Sequence, residues 1–537
     1  MKLTPTSLKN GRDFFIKGEH SAKLPVVRLT KAILQDFKNV EYGELNFHCG
    51  KYFVPYGTNV DILGLYGQNG SGKTAFIDAL YIVKQLLRGS KVQDLFSECI
   101  AKNKEFARLT FLFELQYEDG RVRKAQYEFC MKAVEVPLDA DERIDVSPDY
   151  AAMPYSKSKV RIFNETLSMS GPFHGSDQRM NPVIDTTGEE SPFGPKSRHK
   201  FLIGVDKGNR RALKLEVDKQ LASERSQSFI FMPETLRDLI ASGNYSEYLQ
   251  VLLELNFYGL NYFFVVNTRS SGLIRLNLAL LLHTPKGSFP IQTDRPTAMT
   301  QAVFETVSDY IPKVNTVISK LIPGFTIELR SIAQPVMKDG TVGQLVDVIA
   351  IRQKPGVPNK PEIEAAPPLS DATNEMTASL LPGKPEKETA LPPQNEQALR
   401  TELPLRDESD GIRRLISLTS LLTAAYNDPS FTLAIDEFDA GIFEYIFGEI
   451  LEIFAEKGMG QLIFTSHNLR PLEVISKKFL FFTSTDPKDR YVQLKSIART
   501  NNMRNVYFRQ IQSGDEEKVY NETQRKDIMD ALREAME

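Results

Sequence analysis

The feature that most constrains this chain is a glycine-rich loop that lies between an apolar stretch and a helical pattern. The stretch reads LYGQNGSGKTAFIDAL, and its loop has the form Gly-x4-Gly-Lys-Thr. Glycines allow successive backbone N–H groups to point at phosphate oxygens, and the helix that begins there adds the positive end of its dipole. The pattern therefore predicts a nucleotide-binding loop on a strand–loop–helix unit. Its residues are Gly67, Gln68, Asn69, Gly70, Ser71, Gly72, Lys73, Thr74 and Ala75.

The end of the loop and a distant acidic run have complementary roles in such a site. We expect the Lys73 ammonium to reach the β- and γ-phosphates and the Thr74 hydroxyl to ligate Mg²⁺. The acidic run, FTLAIDEFD, appears only at residues 431–439. There an apolar strand would deliver Asp436 to the metal, and Glu437 would polarise the attacking water. The alternative is a strand that ends in two solvated carboxylates.

Two further segments extend this prediction. The strand pattern GQLIFTSHN ends with His467, which can hydrogen-bond a γ-phosphate, although a single histidine is more often structural. The run RDESDGIRRL, residues 406–415, precedes a helix that Ser409 can cap and whose backbone Gly411 leaves open to close approach. A second anion-binding helix end fits a dimer in which each chain completes the other's site. An ordinary capped helix is the alternative.

The order of these parts is that of ABC-type ATPase heads, in which a long insertion leaves one head and returns to it. The chain resembles the overcoming-lysogenization-defect (OLD-like) group of ABC ATPases found in antiphage systems, whose signature is ESxGxxR. The matching residues are Glu408, Ser409, Gly411 and Arg414. The AIDEFDAGI, FTSHN and MRNVYFRQI runs also fit, and the resemblance covers residues 26–130 and 403–512.

The resemblance implies an α/β fold, an ABC-type P-loop ATPase head with a large mixed α+β insertion and a disordered Pro-rich segment. It implies ATP and Mg²⁺ as ligands, the metal being held by Thr74 and Asp436. The implied catalytic residues are Lys73, Glu437 and His467, with Asp439 in the turn known as the D-loop. The signature residues implied to act in trans are Ser409, Asp410, Gly411 and Arg414.

The resemblance also implies partners. Within that group the chain is most similar to the PtuA family, the ATPases of Septu systems and of some retrons. It implies a homodimer or higher homo-oligomer and an HNH nuclease subunit similar to PtuB. In retrons of that kind it also implies a reverse transcriptase with its RNA–DNA product. The ATPase of PARIS-type systems, whose partner is a TOPRIM nuclease, is an alternative. A different class remains open, a nucleic-acid-binding scaffold that ATP stabilises with little turnover.

No nuclease centre is predicted in this chain, which we expect to be an ATP hydrolase with a turnover that can be slow. Only 70 residues follow His467 (537 − 467), too few for a TOPRIM domain. Asp139-x-Asp141 lies in a Pro- and Asp-rich run without an apolar strand ahead of it. Three cysteines without a CxxC pair predict neither a disulfide framework nor a structural zinc site.

Local patterns predict the elements and segments of the chain. LTFLFELQY and RVRKAQYEF, joined by Glu-Asp-Gly, predict a hairpin. Helix 411–426, strand 431–435, helix 441–456 and strand 461–465 predict parallel strands joined by helices. The Pro-rich run predicts a disordered linker or docking segment. The predicted segments are a basic arm (1–24), the first part of the head (25–131), the mixed insertion (132–354), the Pro-rich linker (355–402), the second part of the head (403–512) and a charged C-terminal helix (513–537).

Charge and hydropathy limit the partners and the cellular compartment that we expect for this protein. A net charge of −3 gives no global attraction for nucleic acid. Between Lys196 and Lys219, however, eight basic residues face three acidic ones, which fits either a solvated surface or phosphate contacts. No apolar run of about 18 residues exists, so no membrane span is predicted. The first residues lack the apolar core of a signal peptide, so we expect a cytoplasmic protein.

Overall fold

The computed structural model separates the chain into two compact units. The first comprises Met1–Ile291 and Ser409–Glu537, and the second comprises Gln292–Glu408. The residues that the structure describes are 24–47, 61–137, 156–204, 209–242, 245–267, 279–284, 287–337, 340–353, 400–493, 504, 507 and 525–535.

The secondary structure alternates long antiparallel strands with shorter strands that helices connect. The strands are β1 (Val26–Phe37), β2 (Val40–Asn46), β3 (Asp61–Tyr66), β4 (Ala107–Gln116), β5 (Val122–Pro137), β6 (Ser156–Phe173), β7 (Ser176–Asp185), β8 (Phe263–Val266), β9 (Ala279–Thr284), β10 (Gly287–Gln292), β11 (Thr297–Thr300), β12 (Phe325–Ala333), β13 (Gly343–Gln353), β14 (Arg400–Pro404), β15 (Thr432–Ile435), β16 (Gln461–Thr465), β17 (Leu480–Thr483) and β18 (Tyr491–Val492). The helices are α1 (Lys73–Leu87), α2 (His199–Leu202), α3 (Arg210–Glu224), α4 (Pro233–Ala241), α5 (Glu247–Asn261), α6 (Gln301–Ser308), α7 (Ile311–Leu321), α8 (Asp410–Asn427), α9 (Glu444–Lys457), α10 (Pro471–Val474) and α11 (Arg525–Glu534).

A six-stranded sheet in the first unit positions the loop and the acidic run. Its strand order is β18-β17-β3-β16-β15-β8. The strands from β17 to β8 are parallel, and only β18 is antiparallel to its neighbour. Strands β3, β8, β15 and β16 are buried throughout, as expected when both faces of a parallel sheet are covered. The carboxyl ends of these strands therefore meet at one edge of the sheet.

A second sheet in the same unit is antiparallel, with the order β2-β1-β4-β5-β6-β7. Its β4–β5 hairpin closes where the Tyr117 N–H donates to the Arg121 carbonyl at 3.0 Å and Gly120 takes a φ of 84°. The predicted Asp-Gly hairpin is confirmed. Residues of this sheet, of α1 and of the parallel sheet share one hydrophobic core. Since most of α1 is buried in that core, the start of the helix is firmly held.

The second unit is a small sheet with two helices. Strand β13 pairs with β12 along one side, and with β11 and then β14 along the other. The Asn315 side chain ties α7 to β12 because it donates to the Ile327 carbonyl and accepts from the Ile327 N–H, both at 2.8 Å. Two ion pairs add to these contacts. Arg330 of β12 pairs with Glu402 of β14 at 2.9 Å, and Arg406, which follows β14, pairs with Asp347 of β13 at 2.8 Å.

The structure divides the chain differently from the predicted segments. Strands β5 to β7 continue the antiparallel sheet beyond the predicted head boundary at residue 131, and β8 from the predicted insertion joins the parallel sheet. The compact second unit is Gln292–Glu408 instead of residues 132–354. Strand β14 begins at Arg400, inside the predicted linker. The predicted helix and strands after residue 403 are confirmed as α8, β15, α9 and β16, within three residues at each end.

Some predictions fall outside the described residues. These are the basic arm up to residue 23, Asp139-x-Asp141, most of the Pro-rich run (354–399) and the MRNVYFRQI run except residues 504 and 507. The C-terminal helix is described only over Arg525–Glu534. Among the helices of the described ranges, none has the length and apolar character needed to cross a membrane.

The register of β13 and β14 indicates that the segment 354–399 can be replaced by a short turn. Gln353 pairs directly with Arg400, so the two ends of that segment are joined as the closing pair of a hairpin. We expect that replacing residues 354–399 by Asn-Gly retains the second unit, because two residues of this type form a hairpin turn. The shorter loop should raise the free energy of unfolding by up to about 3 kcal/mol through its lower closure entropy. Chemical denaturation measures this change, and loss of a cooperative transition would contradict it.

Candidate functional site

The glycine loop connects β3 to α1 with a backbone that only glycine adopts readily. Gly67, Gly70 and Gly72 have φ angles of 150°, 75° and 104°. A Cβ atom on Gly67 would lie 1.8 Å from the Thr483 hydroxyl, whereas one on Gly70 would meet no atom within 4 Å. The Ser71 hydroxyl donates to the Gln68 carbonyl at 2.5 Å, which closes the turn. The predicted strand–loop–helix context of the loop is thus confirmed.

Lys73 lies across this loop at the first turn of α1. Its ammonium donates to the carbonyls of Gly67 and Gln68 at 2.7 Å and 3.0 Å, and the residue is buried. Burial lowers the pKa of Lys73 to about 8, although the nearby carboxylates of Asp436 and Glu437 oppose this shift. An incoming phosphate could replace the two carbonyl acceptors and favour the charged amine.

A threonine hydroxyl at the end of β16 fixes the acidic run. Thr465, the last residue of β16, donates to the Asp436 carboxylate at 2.7 Å and accepts from the Glu437 N–H at 2.7 Å. The Asp436 N–H donates to the Val266 carbonyl of β8 at 2.8 Å. Glu437 has a φ of 49°, an uncommon left-handed conformation for a side chain of this kind. Three neighbouring strands therefore determine where the two carboxylates lie.

Arg414 supports the same turn from α8. Its guanidinium is buried, and Nη2 donates to the carbonyls of Asp436 at 3.0 Å and Glu437 at 2.6 Å. Burial lowers the pKa of Arg414, while Glu437, Asp439 and Asp436 act in the opposite direction. The resemblance implied a role in trans for this residue. In the structure its side chain is instead held against the acidic turn of its own chain.

Asp439 and His467 complete this edge of the sheet. The Asp439 carboxylate accepts from the backbone N–H groups of His467, at 3.2 Å, and Asn468, at 2.9 Å. Partial burial and the Lys73 ammonium lower the pKa of His467, which favours the neutral form of its ring. Asp439 therefore holds the backbone of the turn that carries His467, within its own chain.

The remaining signature residues lie at the start of α8. Ser409 occupies the N-cap position and is exposed, but its side chain makes no capping hydrogen bond, so the prediction of a Ser409 side-chain cap is wrong. Asp410 is exposed and pairs with Arg413. A Cβ atom on Gly411 would lie 1.9 Å from the Gly441 carbonyl, so close backbone packing within the chain requires this glycine. In the second unit, Glu408 accepts from Arg352 Nε at 2.9 Å.

These elements form a cleft that the loop and the acidic turn share. Ser409, Asp410 and Gly411 do not line it. The residues that line the cleft are Lys38, Asn39, Asn69, Gly70, Gly72, Lys73, Thr74, Ala75, Asp436, Glu437, Thr465 and His467. Mg²⁺ prefers hard oxygen ligands and retains several waters. The Thr74 hydroxyl and the Asp436 carboxylate supply such oxygens among the residues that line the cleft, so the donor set fits this ion.

Sequence reasoning missed a group of residues on the β1–β2 turn and around it. Lys38 has a φ of 54° and forms an ion pair with Asp78 of α1, which also accepts from Asn267 at 3.0 Å. Asn39 donates to the Gly70 carbonyl. The only local signal was a polar Lys-Asn pair between two strand patterns, which is common at turns. Asn267, directly after β8, had no distinguishing neighbours in the sequence.

A second missed group comes from the segment around β18. The Tyr491 hydroxyl donates to the Gly72 carbonyl at 2.9 Å. Arg490 donates to the Asn39 carbonyl at 2.6 Å, and its side-chain carbons lie next to Gly72. Tyr491 and Arg490 therefore hold the glycine loop in place, although they lie more than 400 positions after it in the sequence.

The basic cluster between Lys196 and Lys219 is partly used within the fold. Arg198 donates to the Tyr248 hydroxyl at 2.6 Å, and Arg211 donates to the Ile203 carbonyl at 2.8 Å. Lys214 pairs with Asp238, and Lys207 lies outside the described residues. Fewer cations are therefore available for phosphate contacts than the sequence suggested, and nucleic-acid binding by this cluster stays a prediction.

No protein-family model matches the sequence. The search of curated proteins also gives no match. Among solved structures, the fold is similar to the Smc head domain with an extended coiled coil bound to the C-terminal domain of ScpA from Pyrococcus furiosus, at 12% identity over 87% of this chain and 96% of that chain, with a TM-score of 0.34. It is similar to the SMC head domain from Thermotoga maritima at 14% identity over 87% and 100%, with a TM-score of 0.30. For the recombination mediator protein RecF with ATP, the identity is 13% over 82% and 93%, with a TM-score of 0.28. Likenesses of this size establish neither family nor function.

The lowered pKa of Lys73 predicts a pH dependence of phosphate binding. Phosphate favours the ammonium form, whereas burial favours the neutral amine above about pH 8. We therefore expect the association constant for ATP to fall by up to about tenfold per pH unit as the pH rises above the pKa of free Lys73. Calorimetric titrations between about pH 7 and pH 9.5 measure this slope. Lys73→Met should bind weakly with a flat profile, and a flat profile in the unmodified chain would contradict the assignment.

Proposed function

We propose that this chain is an ABC-type ATPase that binds ATP with Mg²⁺ in the cleft and hydrolyses it when a second copy closes the site. The observation that carries this proposal is the Asp436–Glu437 turn, which the Thr465 hydroxyl fixes to the end of β16 and which lines the same cleft as Lys73. A phosphate-binding loop with a lysine that shares a cleft with two carboxylates is suited to transfer of a terminal phosphoryl group to water.

Each residue has a separate part in this reaction. The loop amides and Lys73 would hold the phosphates and neutralise charge that develops on the oxygens. Thr74 and Asp436 would hold Mg²⁺, which supplies further charge neutralisation when it is bound. Glu437 would accept a hydrogen bond from the attacking water and orient it. The neutral ring of His467 would hydrogen-bond the terminal phosphoryl oxygens from the adjacent strand.

The start of α8 supports a role for a second copy. It is exposed, its N-cap side chain makes no capping bond, and it is absent from the lining of its own cleft. A helix of this length has four N–H groups at its first turn without intrahelical acceptors, and these favour an anion. We propose that Ser409, Asp410 and Gly411 of one chain close over the terminal phosphate in the cleft of another.

We further propose that this ATPase belongs to an antiphage system and controls a separate nuclease. The resemblance of ESDGIRRL, AIDEFDAGI and FTSHN to OLD-like ATPases supports this step, and the PtuA-like subset favours an HNH nuclease as the partner. Co-purification of this chain with an HNH protein encoded beside its gene would test the partner. Recovery of a TOPRIM nuclease would favour the PARIS-type alternative.

Glu437→Gln should separate ATP binding from hydrolysis. The amide keeps the size of the side chain but cannot accept a proton, so we expect turnover to fall by about 100-fold or more while ATP still binds. The trapped nucleotide should also hold two copies together. Phosphate release and light scattering with ATP measure the two effects, and Glu444→Gln, an exposed residue outside the cleft, is the control. Unchanged turnover, or a mass that ATP does not alter, would contradict the proposal.

Arg414→Met should lower turnover because the Asp436–Glu437 turn loses its two buried hydrogen bonds. Hydrogen bonds from a charged donor contribute about 1.5–3 kcal/mol, so a loss of about 10- to 100-fold in kcat is expected, with little change in ATP affinity. Arg414→Lys should recover part of the rate. Arg179→Met is the matched control, since Arg179 is exposed on β7 and does not line the cleft. An equal effect of both Met variants would argue against a positioning role.

A further inference from the structure

Helix α9 presents an acidic and apolar face that described residues leave uncovered. Phe443, Tyr445 and Ile453 are 71%, 58% and 49% exposed, respectively. Glu449 and Glu456, both exposed, lie on the side of Tyr445 and Ile453, since Glu449 is four residues from each of these and Glu456 is three residues from Ile453. Phe443 directly precedes the helix. The opposite side of α9 is buried in the core. The outer side therefore has the composition of a docking surface.

The charges of this face are not neutralised within the described part of the chain. The acidic residues of α9 are Glu444, Glu449, Glu452 and Glu456, and none of them forms an ion pair with a described residue. Arg470, which packs against Gly448, is paired with Glu473 at 2.9 Å. A partner for this face should therefore carry several positive charges next to aromatic or aliphatic side chains.

Residues 1–23 have this complementary composition. They carry five basic residues against Asp13 and Glu19, a net charge of +3. The basic residues are Lys2, Lys9, Arg12, Lys17 and Lys23. Three large apolar residues, Phe14, Phe15 and Ile16, lie between Arg12 and Lys17. This order places apolar groups between cations, as the alternation of apolar and acidic groups on α9 requires.

The attachment point of residues 1–23 is close to the end of α9. The described chain begins at Leu24, and the Arg28 guanidinium donates to the carbonyl of Met459, two residues beyond the end of α9. The helix has 14 residues and a length of about 21 Å. A segment of 23 residues can extend to roughly 75 Å, so it can reach the far end of α9 at Phe443.

We propose that residues 1–23 bind to the outer face of α9 in the same chain, with Phe14, Phe15 and Ile16 against Tyr445 and Ile453. The basic residues then pair with the glutamates of α9. This interaction uses no residue of the nucleotide cleft and is independent of the proposed ATPase activity.

A single tryptophan tests the proposal, because the chain contains none. In the full chain carrying Phe15→Trp, we expect indole emission that is blue-shifted and less accessible to iodide than the same substitution in the free peptide 1–23. Because the interaction is intramolecular, dilution should not change either reading. At about 1 M salt, where the Debye length is about 3 Å, the emission should move toward that of the peptide.

Charge reversal tests the surface. Glu449→Lys, Glu452→Lys and Glu456→Lys together should lower the ratio of bound to free segment by about tenfold, since each exposed ion pair changes such a ratio by a factor of about two to three. Adding Lys9→Glu, Arg12→Glu and Lys17→Glu to that variant should restore the blue shift. The matched control reverses Asp177, Glu189 and Glu224, which are exposed elsewhere in the same unit, and should have no effect.

Three results would overturn the proposal. The first is an indole as accessible in the full chain as in the peptide. The second is protection that increases with protein concentration, which would place the segment on a second copy. The third is hydrogen exchange of α9 that is unchanged when residues 1–23 are deleted, which would leave the face to another protein.

Discussion

The cleft depends on one hydroxyl group, that of Thr465. It donates to the Asp436 carboxylate and accepts from the Glu437 N–H, so it joins the ends of β16 and β15 through a side chain where the ladder between the strands stops. The left-handed Glu437 is stable only because its surroundings determine it from several directions. Arg414 holds the carbonyl side of the same turn, and Thr465 holds the amide side.

Sequence predicted the parts of the site that local chemistry encodes. The loop could be found because three glycines and a lysine follow one another within eight positions of the sequence. In the structure all three glycines have the positive φ that this loop requires. Asp436 could be found because it directly follows the apolar residues Leu433, Ala434 and Ile435 of a strand. The roles of Thr465 and Arg490 could not be predicted from the sequence, because each residue acts through contacts with residues that are far away in the sequence. An isolated threonine or arginine has no local pattern that distinguishes it from a surface residue.

The strand pairing that crosses the predicted segment boundaries could not be anticipated for a related reason. Strand β5 continues to Pro137 and pairs with β6 across a segment of 18 residues, from 138 to 155, whose composition suggests a break. Strand β8 is a four-residue apolar run with no glycine motif, yet it supplies the Val266 carbonyl that accepts from Asp436. Periodicity identifies such strands, but the order of strands in a sheet depends on pairing between distant segments, which a single sequence does not encode locally.

The distance between the glycine loop and the acidic run follows from the strand order. Strand β16 lies between β3 and β15, so the strand that carries the loop and the strand that precedes Asp436 belong to one sheet only when β16, which follows both in the sequence, is paired between them. The start of α8 packs through Gly411 on Gly441 and through Arg414 on the acidic turn. The exposed start of α8 and the acidic turn of the same chain are thus in direct contact. If the phosphate in a second copy binds that helix end, as proposed above, the contacts of Arg414 connect the helix directly to Glu437 of the first copy. We therefore expect the two clefts of such a dimer to influence each other.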